Sequence, residues 1–133
     1  MKLSTKKDIP MIGYTTLGVK DLDKAKTFYS ELFADKGAKV QVDVGRLAMI
    51  GTSLSEPMIS VCVPHNEQAP SVGNGTMVAF RADSKDNVGE MYNKAISLGA
   101  TCDGEPGQRI EDQFYGAYVR DLDGNKLCFF VFG

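Results

Sequence analysis

The pattern of apolar and polar positions in the first half of the chain predicts one strand, one helix and three further strands. The segment IGYTTLGV is rich in β-branched residues, and KDLDKAKTFYSELF after it has a helical period, with Asp21 placed to cap the helix. After a break at Gly37, three stretches have the composition or the period-two alternation of strands: AKVQVDV, RLAMIG and PMISVCV. The predicted order is β-α-β-β-β.

The second half of the chain repeats this order. GTMVAFRA predicts a strand, and SKDNVGEMYNKAISLG predicts a helix that is capped by Ser84 and ended by Gly99. The strand-like stretches ATCDG, FYGAYVRD and KLCFFVF follow, and the Asp123-Gly124 pair between the last two is typical of a hairpin turn.

The two halves align with one offset, since Tyr29 and Tyr92 hold the same place in the two helices and lie 63 positions apart. An internal repeat of this kind indicates two copies, each burying a face that it cannot bury alone. We therefore predict an α+β fold of two βαβββ modules with the helices outside, in a single domain over 1–133: a first half over about 10–64, a linker over about 65–74 and a second half over about 75–133. A ferredoxin-like βαββαβ sandwich is the alternative, and it would omit one strand from each half.

Composition excludes several classes of function. With 133 residues, of which 43% are hydrophobic, the chain can fill one modest core, and a net charge of -2 gives no basic field for nucleic-acid phosphates. The sequence has no signal-peptide pattern and no run of the ~20 apolar residues that a membrane-spanning helix needs, so we expect a cytoplasmic protein that binds neither nucleic acid nor membranes. The cysteines are odd in number and lack CxxC spacing, which favours reduced thiols over disulfides or a zinc knuckle: Cys62, Cys102 and Cys128.

Four stretches of the chain resemble one known superfamily: YTTLGVKDLDKAKTFYSELF, PMISVCV, GNGTMVAFRA and YVRDLDGNKLCFF. They are similar to the vicinal oxygen chelate superfamily, which includes glyoxalase I, extradiol dioxygenases, fosfomycin-resistance enzymes and bleomycin-binding proteins. The resemblance implies that the two modules form a curled, mostly antiparallel sheet around a cavity that holds a small molecule. It also implies a homodimer.

Members of that superfamily present metal ligands from the first and fourth strands of each half, typically His, Glu or Gln, His and Glu. In this sequence those positions fall on four residues without a carboxylate or an imidazole: Tyr14, Ser60, Met77 and Cys128. Divalent metals of the family type prefer nitrogen and oxygen donors. We therefore expect no metal and no other cofactor, and we expect the lone histidine, His65, to be a solvated group at the start of the linker.

Strand alternation predicts which side chains line the cavity. The predicted ligand-binding residues are mostly apolar, with a few polar groups that suit a small apolar or aromatic ligand: Tyr14, Thr16, Ser60, Cys62, Met77, Arg81, Tyr115, Cys128 and Phe130. Tyr115 belongs to GQRIEDQFYG, which we interpret as a polar loop or as a lid over the cavity. The alternative is that several of these residues only fill the core.

Three functions remain open on the sequence. The first is a metal-free binding protein that sequesters or senses a small apolar or aromatic molecule. The second is an enzyme, either a glyoxalase-related lyase or isomerase or a dioxygenase-type enzyme, which would use non-standard ligands or acid–base chemistry of Tyr14 or Cys128. The third is a partner-binding protein with a vestigial cavity. Packing alone accounts for Cys128, because no histidine is available as its base.

Overall fold

The computed structural model describes residues 9–133, and the chain divides into two compact units with their boundary between Pro70 and Ser71. We call these the first unit and the second unit. Within the described part of the chain, no helix is both long enough and apolar enough to cross a membrane.

The first unit contains one four-stranded sheet and one helix. Its elements in chain order are β1 (Tyr14–Gly18), α1 (Leu22–Leu32), a single 3-10 turn (Ala34–Lys36), β2 (Lys39–Asp43), β3 (Leu47–Gly51) and β4 (Met58–Cys62). The strands lie in the order β1-β4-β3-β2, and β1 runs parallel to β4 while the other pairs are antiparallel.

Helix α1 begins where the sequence predicts, because the Asp21 carboxylate accepts a hydrogen bond from the backbone N–H of Lys24 at 3.1 Å. Its apolar stripe is buried and packs against β3 and β4. The buried residues of the helix recur every three or four positions: Ala25, Phe28, Tyr29 and Leu32.

The second unit has the same organisation. It contains β5 (Val78–Arg81), α2 (Lys85–Ser97), β6 (Thr101–Ile110), β7 (Phe114–Arg120) and β8 (Lys126–Phe132), in the sheet order β5-β8-β7-β6 with β5 parallel to β8. The Ser84 hydroxyl caps α2 by accepting from the backbone N–H of Asn87 at 3.0 Å. The predicted α+β fold of two βαβββ modules is therefore confirmed, and the ferredoxin-like alternative is wrong because each unit has four strands.

Two strand boundaries differ from the prediction. The segment GQRIEDQFYG is neither a loop nor a lid, because β6 continues to Ile110 and only residues 111–113 turn the chain into β7. Strand β5 begins at Val78 and leaves Met77 outside it. The cause is a turn that precedes it, in which Gly73 and Gly75 have φ of +71° and +92° and the Thr76 N–H donates to the Gly73 carbonyl.

Candidate functional site

Each sheet has one face covered by a helix and one face that carries none. In the first unit, strand pairing places Thr16 beside Ser60 and Leu17 beside Val61. Leu17 and Val61 are buried on the helix side, whereas Tyr14 and Thr16 are exposed on the other. We call the side that bears Tyr14, Thr16, Ser60 and Cys62 the helix-free face of the first sheet; the predicted alternation of these residues is confirmed by the pairing.

Ser60 is the unusual residue of this face. Its side chain is fully buried, and its hydroxyl has no hydrogen-bond partner within residues 9–133. A buried hydroxyl left without a partner costs about 1–3 kcal/mol, so the position is not explained by packing alone.

Cys62 and Tyr14 have simpler surroundings. The Cys62 thiol accepts from Arg46 Nη1 and donates to the Val63 carbonyl, both at 3.0 Å, which ties β4 to the end of the β3 hairpin. Tyr14 is 52% exposed at the start of β1. Cys62 is therefore engaged in the structure of the sheet, whereas the Tyr14 phenol is accessible to solvent.

The helix-free face of the second sheet carries Arg81, Cys128 and Phe130, because Arg81 pairs with Phe130 and Ala79 with Cys128 across β5 and β8. Cys128 is fully buried beneath this face and lies opposite Tyr118 of β7. Burial raises the pKa of the Cys128 thiol to about 11, although nearby Lys126 and Arg109 act in the opposite direction. A thiol with this pKa is almost entirely protonated at neutral pH and is a poor nucleophile.

An aromatic cluster extends from Phe130 along the same face. The rings of Phe114 and Phe130 are stacked with centroids 5.3 Å apart, and Phe132 meets Phe130 edge-on at 5.1 Å. The Arg81 guanidinium carbon lies 5.1 Å from the centre of the Phe132 ring. Phe132 is 64% exposed, so a cation and an exposed aromatic surface lie side by side.

Tyr115 does not join this cluster. Strand β7 places it opposite Val131, on the face that α2 covers, and Lys85 of α2 lies 5.5 Å from its ring centre. The reason is the period-two alternation of β7, in which Tyr115 and Tyr118 lie three residues apart and so point to opposite faces. The predicted grouping of Tyr115 with Cys128 and Phe130 is therefore not what the strand geometry gives.

Met77 lies at the other end of the second sheet, before β5, and it is 42% exposed. It helps to line a cavity of about 520 Å³ together with residues of the linker and of the β7–β8 hairpin: Val72, Gly73, Asn74, Gly75, Thr76, Arg120 and Lys126.

Comparison with known proteins assigns this arrangement to a family. The model of the Glyoxalase/Bleomycin resistance protein/Dioxygenase superfamily matches residues 11–129. The chain belongs to that superfamily. No curated protein matches it significantly.

Solved structures of this superfamily have the same fold. A glyoxalase/bleomycin resistance protein from Albidiferax ferrireducens T118 is 32% identical, with a TM-score of 0.80 over 91% of this chain and 98% of that one. A lactoylglutathione lyase from Agrobacterium tumefaciens is 23% identical, with a TM-score of 0.66 over 91% of this chain and 93% of that one. Glyoxalase I from Zea mays is 21% identical, with a TM-score of 0.70 over 90% of this chain and 43% of that one.

The residues at the superfamily's metal-ligand positions do not fit a divalent metal in this chain. Ser60 offers a neutral hydroxyl, Met77 a soft thioether, and Cys128 a buried thiol whose raised pKa opposes the deprotonation that ligation requires. Between residues 9 and 133, no three His, Cys, Asp or Glu side chains lie close enough together to hold a metal ion. No chemistry through such a metal is therefore derived from these positions.

Sequence reasoning missed two members of the aromatic cluster, Phe114 and Phe132. A signal for Phe132 was present, since Cys128, Phe130 and Phe132 alternate within KLCFFVF and so share one face. Phe114 depends on the pairing of β7 with β8, which places it opposite Phe132. Its position follows from the register rather than from the pattern of a single strand.

Proposed function

We propose that this superfamily member binds, without a metal, a small molecule that has an aromatic or apolar body and an anionic group. The binding surface is the helix-free face of the second sheet at the C-terminal end of β8. The observation that carries the proposal is the Arg81 guanidinium beside the exposed ring of Phe132.

The charge of Arg81 supports an anionic ligand. Arg81 is exposed and forms no ion pair with a carboxylate in the described part of the chain; its recorded contact is with Phe132. A guanidinium presents planar donors that match a carboxylate in a two-point contact. An anionic group on the ligand therefore has an available partner.

The aromatic cluster supports the apolar part of the ligand. Phe114, Phe130 and Phe132 present stacked and edge-on rings at 5.1–6.2 Å. A further ring adds to such a cluster in the same offset or edge-on geometries, with about 0.5–1.5 kcal/mol for each aromatic pair beyond the area that it buries. The combination favours an aromatic carboxylate over an uncharged hydrocarbon.

The other predicted contacts remain predictions. Tyr14, Thr16, Ser60 and Cys62 share the helix-free face of the first sheet, and the unpartnered Ser60 hydroxyl is available for a directional hydrogen bond there. A lyase or isomerase activity that uses Cys128 as a base is disfavoured, because burial raises the pKa of its thiol to about 11. We expect the protein to act in the cytoplasm as a homodimer, which light scattering on the purified protein tests.

Isothermal titration calorimetry with 1-naphthoate and uncharged 1-naphthalenemethanol tests the proposal. We expect naphthoate to bind more tightly, and Arg81→Gln to weaken naphthoate by roughly ten-fold, the size of one charge-assisted hydrogen bond, while it leaves the alcohol almost unaffected. Phe132→Ala should weaken both. Lys39→Gln, which removes an exposed lysine from β2 of the first unit, is the matched control.

Two results would contradict the proposal. One is the absence of saturable binding for both probes. The other is an equal effect of Arg81→Gln and Lys39→Gln on naphthoate, since the loss of any positive charge would then explain the change.

A further inference from the structure

A second group of cations lies at the opposite end of β8 from Arg81 and Phe132. Lys126 is the first residue of β8 and Phe132 the last, so at about 3.3 Å per residue the two ends are roughly 20 Å apart. A ligand at one end is therefore independent of a small ligand at the other. This separation allows the two sites to be tested separately.

Two basic side chains share one acid at this end of the second sheet. Arg120 Nε lies 3.1 Å from Asp103 Oδ2, and Lys126 Nζ lies 3.5 Å from the same oxygen. All three side chains are about one-third exposed. One carboxylate facing two cations leaves a net positive charge, which is only partly screened by water.

The same two cations line the cavity of about 520 Å³ with a glycine-rich loop, residues 73–76. The backbone N–H groups of Asn74 and Gly75 donate to no acceptor within residues 9–133, whereas the Thr76 N–H is used by the Gly73 carbonyl. A Cβ at Gly75 would have no atom within 4 Å, so the backbone there borders open space. Backbone N–H groups in glycine-rich loops commonly bind oxyanions together with lysine or arginine.

We propose that the cavity between the 73–76 loop, Arg120 and Lys126 binds a phosphate-type oxyanion. Arg120 donates from Nε to Asp103 and from Nη1 to the Gly124 carbonyl, which fixes the guanidinium and leaves Nη2 for the ligand. Lys126 lies 5.0 Å from the centre of the Tyr118 ring, which restricts its position. Asp103 competes with the ligand for both cations.

A titration of the 15N-labelled protein with inorganic phosphate at constant ionic strength tests the site. We expect saturable shifts of the Asn74 and Gly75 amide resonances. Lys126→Gln should weaken phosphate by roughly three- to ten-fold, as expected for the loss of one charged donor. Lys24→Gln, an exposed lysine of α1, should leave the affinity unchanged.

Asp103→Asn gives the sharpest outcome, because it removes the competing carboxylate. The site predicts tighter phosphate binding, whereas a merely destabilised hairpin would bind no better or more weakly. Unsaturable shifts, or Asp103→Asn binding phosphate no more tightly than the original chain, would overturn the proposal. Phenyl phosphate then distinguishes the two sources of the anion: tighter binding than inorganic phosphate identifies a phosphomonoester, and weaker binding the free ion.

Discussion

Cys128 and Ser60 occupy equivalent strands of the two units, and both are fully buried on a helix-free face. Their chemistry differs. Ser60 keeps a hydroxyl without a partner, whereas the Cys128 thiol is held neutral because burial raises its pKa to about 11. At the scale of single residues, Ser60 is available for a hydrogen bond, and Cys128 acts as a packing residue.

Alkylation by iodoacetamide tests the state of Cys128, because the thiolate is the reactive form. With a pKa of about 11, roughly one Cys128 thiol in a thousand is ionised at pH 8, and the fraction rises about ten-fold per pH unit until the pKa is reached. We predict that exposed Cys102 is labelled first at pH 8 and that labelling of Cys128 increases steeply above pH 9. Mass spectrometry of tryptic peptides separates the two sites, and equal labelling at pH 8 would restore Cys128 as a candidate nucleophile.

The residues of the candidate site could be predicted from the sequence only as far as strand alternation reaches. Alternation placed Thr16 with Ser60, and Arg81 with Phe130, on common faces. It did not place Phe114, which depends on the register between β7 and β8. The ionic environment of Arg120 was also beyond the sequence, because its partner Asp103 lies on a different strand.

At the scale of elements, local signals account for nearly all of the fold. Both helix caps act as predicted, and the Asp123-Gly124 turn joins β7 to β8. The sequence did not predict the length of β6, because GQRIEDQFYG is polar and its strand conformation depends on pairing with β7 rather than on apolar alternation. The start of β5 was also missed, since a loop conformation extends through Met77.

The β7–β8 turn depends on Asp121, which is buried and accepts hydrogen bonds from the backbone N–H groups of Asp123 and Asn125 and from the Asn125 amide. We predict that Asp121→Ala lowers the free energy of unfolding by about 3 kcal/mol, because buried donors lose their acceptor. Ser84→Ala should cost only about 1 kcal/mol, the usual value of one helix cap. Urea denaturation measures both; an Asp121→Ala effect no larger than that of Ser84→Ala would contradict this account of the turn.

At the scale of the whole molecule, the chain contains two units with the same element order and the same strand pairing, and it belongs to a superfamily with enzymatic and binding members. What separates it from metal-dependent members is the donor chemistry at four positions: Tyr14, Ser60, Met77 and Cys128. The chain holds a single histidine, His65, which is exposed. Its proposed binding chemistry therefore depends on aromatic rings and guanidinium groups instead of a metal.

Metal content tests this central claim most directly. The protein is purified without a metal-affinity tag and dialysed, and its nickel, zinc, iron and manganese are measured by inductively coupled plasma mass spectrometry against protein concentration. The account predicts well under one metal ion per chain, because the residues at the ligand positions are poor donors for divalent ions. One tightly held ion of any of these metals per chain would contradict it.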